Sequence, residues 1–287
     1  MLLRTTLLLL LCLTSCDRSP AVPTTAPVRQ IAVFASTYPL ADLARQVGGE
    51  HVRVDWLIDL GDPLTAFTPT TAERERMMSH EVIVLDGSRR MEGWAMLELS
   101  RMQATGRMVA VADLPIVRTM PPAGLLQLDP MAVRELVPVL VARFGELLPK
   151  QRAYFEERGQ AFTNEIDSIL RAHPNSAFGR GKVLVLDDTL APLLDRFAIG
   201  YARVDADALR LTDREVNLIR DKARATGAQT LLVPFDTPPG TQADIQSRTQ
   251  LKVVTIDPLG MPNYPGHATY LEVVAYNLAQ LKIATKE

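Results

Sequence analysis

The sequence predicts an α/β protein with two lobes, each built on a mainly parallel sheet flanked by helices, and joined by a long helical connector. Short runs rich in Val, Ile and Leu alternate with longer amphipathic stretches, which is the pattern of parallel strands and their crossover helices. This alternation occurs twice along 287 residues, a length that suits about two domains. The stretch between the two series has helical periodicity and no strand pattern.

The first 16 residues have the pattern of an export signal. A positive start at Arg4 precedes an apolar run over 7–13 and a small-residue site that ends in Cys16. The run is far shorter than the ~20 residues that span a bilayer. Its Leu-Thr-Ser-Cys ending resembles a bacterial lipobox, which implies that Cys16 carries a lipid and anchors the protein at the outer face of the cytoplasmic membrane. The proline-containing stretch 17–30 is typical of a flexible tether.

The first lobe is predicted over 31–128. Its strand candidates are the apolar runs at 31–35, 82–86 and 108–112, each beside an amphipathic stretch. Strands separated in this way by helices pair in parallel, so we expect these three runs to lie in one sheet.

The connector is predicted over 129–172. Four side chains in its second half recur at helical spacing, namely Tyr154, Phe162, Ile166 and Ile169. Because proline lacks a backbone N–H, we expect Pro138 and Pro149 to kink or interrupt the helix, with Pro149 suited to a helix start.

The second lobe is predicted over 173–287. The runs 183–187, 230–234 and 252–256 repeat the apolar, β-branched composition of the first series. They predict a second parallel sheet with its own flanking helices.

The composition is that of a folded globular protein and gives no sign of nucleic-acid binding. Hydrophobic residues make up 47% of the chain, and 31 basic against 33 acidic residues leave a formal net charge of −2. A chain that grips phosphate backbones carries a basic patch or stripe, which is missing here.

The residues of common catalytic sites are missing as well. Cys12 and Cys16 both belong to the N-terminal segment, so the folded body has no thiol for a disulfide, a metal thiolate or a nucleophile. The four histidines are too far apart for a helix-borne zinc motif, and neither a phosphate-binding loop nor a serine nucleophile elbow is present. An enzyme is therefore unsupported.

Three aspartates follow predicted strands, where ligands bind in open α/β folds: Asp86, Asp187 and Asp257. Each could instead cap the helix that follows, and that alternative is open for any one of them. Of the histidines, only His267 lies near such a position, in the proline- and glycine-rich loop after Asp257.

The other three histidines are assigned no role in a site. His51 and His80 have polar, charged neighbours in the sequence and are expected to be solvated, and His173 precedes a proline near a predicted helix end.

The body resembles the metal-binding family of ABC-transporter solute-binding lipoproteins, which deliver zinc or manganese to a membrane permease. The resemblance runs from about Ile31 to Ile283 and rests on the order of several short motifs. These are Ser36-Thr-Tyr-Pro-Leu40, Gly61-Asp-Pro63, Asp86-Gly87, Glu92-Gly-Trp94, Leu128-Asp-Pro130, Leu148-Pro149 with Tyr154, Ile256-Asp-Pro-Leu-Gly260, and Thr269-Tyr-Leu with Asn277.

The resemblance implies a cation site between the lobes, but two of its histidine positions are changed. Leu64 and Leu125 stand at those positions and cannot bind a metal. The third position falls on Asp187, or on Asp188 if the register differs by one, and the fourth falls on Asp257. Two carboxylates without imidazole hold first-row cations weakly and with little selectivity.

The resemblance thus implies a non-enzymatic receptor for Zn or Mn with an altered site, working with an ABC permease and its ATPase. Two alternatives stay open. The leucines could line a cleft for a small organic ligand, or the fold could serve as an adhesin-like or scaffold lipoprotein.

Overall fold

The computed structural model describes residues 28–62, 67–117, 124–207 and 211–286, and shows two parallel sheets of four strands each. Helices flank both sheets, as the sequence predicted. The helices are α1 Tyr38–Gly48, α2 Thr71–Met78, α3 Arg89–Arg101, α4 Pro130–Leu147, α5 Arg152–Ala172, α6 Ala191–Arg196, α7 Asp213–Thr226, α8 Pro239–Thr249 and α9 Tyr270–Ala284. None of these helices is long and apolar enough to cross a membrane.

The first sheet has the strand order β2-β1-β3-β4. Its strands are β1 Ile31–Thr37, β2 Val52–Ile58, β3 Val82–Leu85 and β4 Met108–Ala110. The sequence predicted β1, β3 and β4 but missed β2, an edge strand that pairs only with β1 among the described strands. Polar residues interrupt β2 because one of its sides faces solvent.

The second sheet repeats this order as β6-β5-β7-β8. Its strands are β5 Val183–Val185, β6 Tyr201–Arg203, β7 Thr230–Pro234 and β8 Lys252–Ile256. The missed strand is again the edge strand next to the first strand of the lobe, and all three residues of β6 are half-buried.

The connector region forms two helices that pack against each other. Helix α4 continues through Pro138 without a break, whereas Pro149 begins a 3-10 turn that leads into α5. Helix α5 packs against α1 of the first lobe and also touches α9 of the second. The crossing between the lobes is therefore a helical hairpin that packs on both of them.

One hydrophobic core extends through both lobes. The same cluster contains Phe34 of the first sheet, Phe162 of α5 and Ile256 of the second sheet. A smaller core around Leu184, Ile219 and Leu231 lies within the second lobe. Side chains of the two lobes are thus packed together as in a single domain.

Two histidines that were expected to be solvated are buried. His51 packs edge-on against Tyr154 and Phe155 of α5. His80 bonds with the Asp55 carboxylate at 3.0 Å and lies against Phe34. The expectation was wrong because the sequence neighbours of both residues are polar, whereas the side chains that cover them come from distant parts of the chain. His173 caps the end of α5.

Candidate functional site

A cavity of about 320 Å³ lies between the lobes at the carboxyl ends of β5, β7 and β8. The first lobe contributes the turn that follows β2. The cavity is lined by Leu60, Gly61, Asp62, Val185, Leu186, Asp187, Thr189, Leu190, Leu232, Val233, Pro234, Asp236, Ile256, Pro258 and Leu259. Ligands in open α/β folds bind at this end of the strands.

Most of the cavity wall is aliphatic. The strand residues that form it, such as Val185, Leu232 and Ile256, are buried and hold their positions through the parallel ladder of the second sheet. Leu190 and Leu259 extend this wall from the loops after β5 and β8. A ligand that enters the cavity therefore meets mainly hydrocarbon.

Three carboxylates face the same cavity: Asp62, Asp187 and Asp236. The Asp59 backbone N–H donates to Oδ2 of Asp62 at 2.9 Å, and the Thr189 N–H donates to Oδ1 of Asp187 at 2.8 Å. Asp236 is exposed at the cavity mouth. No lysine or arginine is among the described residues that line the cavity, so this described lining has a net negative charge.

Asp187 lines the cavity, as its place after β5 predicted, but Asp257 is bonded within its own loop. Its Oδ1 accepts from the N–H groups of Leu259 and Gly260, at 3.0 and 2.7 Å. Its Oδ2 lies 2.6 Å from Nδ1 of His267, whose ring stacks on Phe235. Both side chains are buried, so Asp257 and His267 form a rigid support directly behind the wall residues at 256, 258 and 259.

The remaining predicted site residues lie elsewhere. Asp188 is ion-paired with Arg203 at 2.7 Å. Leu125 is buried in the shared core, 1% exposed, and its N–H donates to the Thr189 carbonyl across the lobes at 3.0 Å. Leu64 and Cys16 lie outside the described residues. Within the described ranges, no three His, Cys, Asp or Glu side chains are placed to share one metal ion.

Two cavity carboxylates were not selected from the sequence. Asp236 follows β7 by two residues, so the strand-end argument that selected Asp187 applies to it equally. Asp62 belongs to the Gly61-Asp-Pro63 motif but comes from the opposite lobe, and the sequence does not show that it faces β7.

The lobes touch at several polar contacts beside the cavity. The buried Asp129 carboxylate, at the start of α4, accepts two hydrogen bonds from Arg196 of α6, both at 2.6 Å. The Tyr270 N–H of α9 donates to Asp42 of α1 at 2.8 Å. Gly124, at φ +85°, allows the close approach here, because a Cβ at this position would clash with the Asp188 carbonyl oxygen.

A second group of acids is sealed inside the first lobe. Asp86, just after β3, and Glu92 of α3 are both fully buried. The Gly87 N–H donates to Oε2 of Glu92 at 2.7 Å, and the Gln127 N–H donates to Oδ2 of Asp86 at 2.8 Å. Burial, reinforced by the Asp86 charge, raises the pKa of Glu92 to about 8. Burial also raises the pKa of Asp86.

Known structures share this fold. Zn(II)-bound AdcA of Streptococcus pneumoniae is 14% identical with a TM-score of 0.76, and the match covers 90% of this chain and 58% of AdcA. The metal-dependent lipoprotein YcdH of Bacillus subtilis is 14% identical with a TM-score of 0.75, over 90% of this chain and all of YcdH. The solute-binding protein FpvC of Pseudomonas aeruginosa, in complex with Mn²⁺, is 17% identical with a TM-score of 0.71. This match covers 90% of this chain and 98% of FpvC.

A search of curated protein sequences finds no match. The family model for zinc-uptake complex component A, a periplasmic protein, matches residues 33–284, which is most of the chain. Members of this family are solute-binding proteins of transport systems. The two-lobed fold, the cavity between the lobes and this match together show that the chain belongs to the ZnuA family of periplasmic solute-binding proteins.

Proposed function

We propose that this protein is the lipid-anchored, extracytoplasmic receptor of a metal-type ABC import system and that it captures a positively charged solute in the interlobe cavity. The observation that carries the proposal is the cavity itself, with three carboxylates and no basic side chain among its described lining residues. A cavity of this charge attracts cations and repels anions. Both lobes contribute to it, which suits a receptor that encloses its cargo.

For a divalent cation, we propose Asp187 and Asp257 as the principal ligands. Asp187 has its Oδ1 on a backbone N–H, and among the described residues its Oδ2 has no hydrogen-bond partner. Asp257 would give up its bond with His267, or keep it as the contact that orients a metal-bound carboxylate. His267 and Asp188 are secondary candidates, and Asp188 would first have to leave Arg203.

The change at the other two family positions predicts weak metal binding. Leu125 is part of the core and offers no donor atom, and Leu64 likewise carries an aliphatic side chain. An all-carboxylate set holds zinc less tightly than imidazole does and discriminates poorly between zinc and manganese. The structural relative AdcA is Zn(II)-bound and FpvC is in complex with Mn²⁺, so these are the two ions to test first.

The proposed partners are an ABC permease and its ATPase. The lipid on Cys16 would anchor the protein in the same membrane as the permease, and the tether 17–30 would let the folded body reach it. We propose no catalytic role and no nucleic-acid partner. The described residues contain no cysteine that could act as a nucleophile.

The test is a thermal melt of the full-length protein in detergent, stripped of metal and titrated with Zn²⁺ or Mn²⁺. A ligand at 100 times its dissociation constant stabilises by about 2.7 kcal/mol, which a melt detects. We expect saturable stabilisation that Asp187→Asn and Asp257→Asn reduce. The matched control is Asp113→Asn, an exposed aspartate that does not line the cavity, which should respond like the wild type. Absence of any response to metal or to organic cations would contradict the proposed function.

A further inference from the structure

We infer that the interlobe cavity binds a small organic cation, an ammonium group carried on a short aliphatic body. This inference rests on the proposed function and narrows it to one class of solute. It is carried by the size of the cavity, the chemistry of its wall, the placement of its carboxylates and one unpartnered hydroxyl.

The cavity is too large and too apolar for a metal ion alone. Its volume of about 320 Å³ lies within the range of small-molecule sites. A metal ion exchanges its water for nitrogen or oxygen donors, and Val185, Leu232 and Ile256 offer none from their side chains. A short alkyl chain gains free energy from contact with these same side chains, because each buried methylene leaves water.

The carboxylates are spread around the cavity instead of converging on one point. Asp62 comes from the first lobe, whereas Asp187 and Asp236 follow different strands of the second. No three acids or histidines within the described ranges could hold one ion. A single carboxylate can accept from an ammonium group, which, unlike a first-row metal ion, does not require a closed shell of converging ligands.

The acceptors for such a group are already in place. Asp62 and Asp187 each use one oxygen for a backbone N–H, so each is fixed in position while its other oxygen has no hydrogen-bond partner among the described residues. Thr189 also lines the cavity; it is 5% exposed, and its hydroxyl has no hydrogen-bond partner among the described residues. A buried hydroxyl without a partner is costly, and a ligand N–H next to it would remove that cost.

The test titrates the metal-stripped, full-length protein with pentylamine by calorimetry and thermal melt. Pentanol and pentanoate keep the alkyl chain and change the charge to neutral and negative. We expect saturable binding of pentylamine, at least about tenfold weaker binding of pentanol, and none of pentanoate. Cadaverine, with a second ammonium group, tests whether carboxylates from both lobes act together.

Variants locate the contacts. Asp187→Asn should weaken pentylamine binding about tenfold or more, since it removes a charge-assisted hydrogen bond. Thr189→Val keeps the shape of the side chain and leaves no new unpaired group, so it should fold normally and still weaken binding. The control Asp113→Asn should bind like the wild type.

The outcomes separate this inference from the proposed function. Stabilisation by Zn²⁺ or Mn²⁺ without any binding of amines overturns the inference and leaves the cation receptor standing. Equal binding of pentanol and pentylamine also overturns the inference, because charge would then play no part. Failure of both metals and amines overturns both. The inference is supported by amine binding that Asp187→Asn weakens and that Asp113→Asn leaves unchanged.

Discussion

At the scale of single residues, Glu92 carries a stability cost that depends on pH. Its carboxyl group is fully buried next to Asp86, whose charge disfavours a second negative charge at this place. With a pKa of about 8 it folds in the protonated, neutral form at neutral pH. Protonation also gives the buried group a hydrogen-bond donor.

The pH dependence of stability follows from this raised pKa. Below the ordinary glutamate pKa of 4.5 the group is protonated in both the folded and the unfolded chain, and its contribution is fully present. As the pH rises from there towards about 8, the unfolded chain releases the proton and the folded one holds it, so the free energy of unfolding falls with pH. Glu92→Gln, which imitates the protonated form, should lose this slope.

Urea denaturation of the wild type and Glu92→Gln between about pH 5 and pH 8 checks this prediction. The variant should gain stability relative to the wild type with each step upward in pH. Glu157→Gln, at an exposed position on α5, is the control and should run parallel to the wild type. A constant difference between Glu92→Gln and the wild type over this range would show that Glu92 does not hold a proton in the folded protein.

Arg196 should contribute far more to stability than an exposed arginine does. It donates two hydrogen bonds to the fully buried Asp129 carboxylate, which also caps α4 by accepting from the Met131 N–H. Arg196→Ala would leave this charge buried and unpaired, so we expect a loss of about 3 kcal/mol in the free energy of unfolding. Arg224→Ala removes an exposed, 3.7 Å ion pair and should change the free energy by less than about 0.5 kcal/mol. Similar losses in both variants would contradict the prediction.

At the scale of elements, Pro138 is a local defect within α4. The helix runs from Pro130 to Leu147 around it, although proline offers no N–H to the carbonyl one turn earlier and its ring crowds that carbonyl. The side chain of Pro138 is exposed, so core packing does not require it.

Pro138→Ala should therefore stabilise the protein, by about 1–2 kcal/mol. Alanine restores the helical hydrogen bond and removes the crowding by the proline ring, which stabilises the folded chain. The alanine variant also has a more flexible unfolded chain, and this offsets only about 0.4–1 kcal/mol of the gain. Pro149→Ala is the matched control, because Pro149 stands at the start of the 3-10 turn, where an N–H has no helical partner. It should bring no gain. Chemical denaturation of the three proteins measures both effects, and a loss of stability in Pro138→Ala would disprove the account.

The sequence predicted the central strands of both lobes and missed one edge strand in each. The three strands predicted in each lobe include both of its central strands. A central strand has both faces covered, so it appears in the sequence as a continuous apolar run. The missed strands, β2 and β6, are edges with polar or half-buried residues. The position of Asp187 at the cavity followed from strand ends alone. The bonding of Asp257 to His267 could not, since it depends on how a ten-residue loop folds back.

At the scale of the whole molecule, the lobes share a core and are bonded across it, so they should unfold together. Residues of both sheets belong to one hydrophobic cluster, and the pair Asp129 and Arg196 lies at the junction. If one lobe unfolded alone, the lobe that stayed folded would expose the apolar surface that the two lobes share. Exposing apolar surface to water costs about 25 cal/mol per Å². We therefore predict a single cooperative transition in urea for the entire chain.

The two tryptophans make this prediction measurable. Trp56 lies in β2 and Trp94 in α3, so tryptophan fluorescence reports on the first lobe alone, while far-ultraviolet circular dichroism reports on the helices of both lobes. Fluorescence and circular dichroism should give the same urea concentration at the midpoint and the same dependence of the unfolding free energy on urea. A cargo held mainly by wall residues of the second lobe should then shift the fluorescence transition of the first lobe by the same amount, since only the fully folded protein binds it. Two separated midpoints, or a ligand shift seen by circular dichroism alone, would mean that the lobes are independent units and that the shared core contributes little to stability.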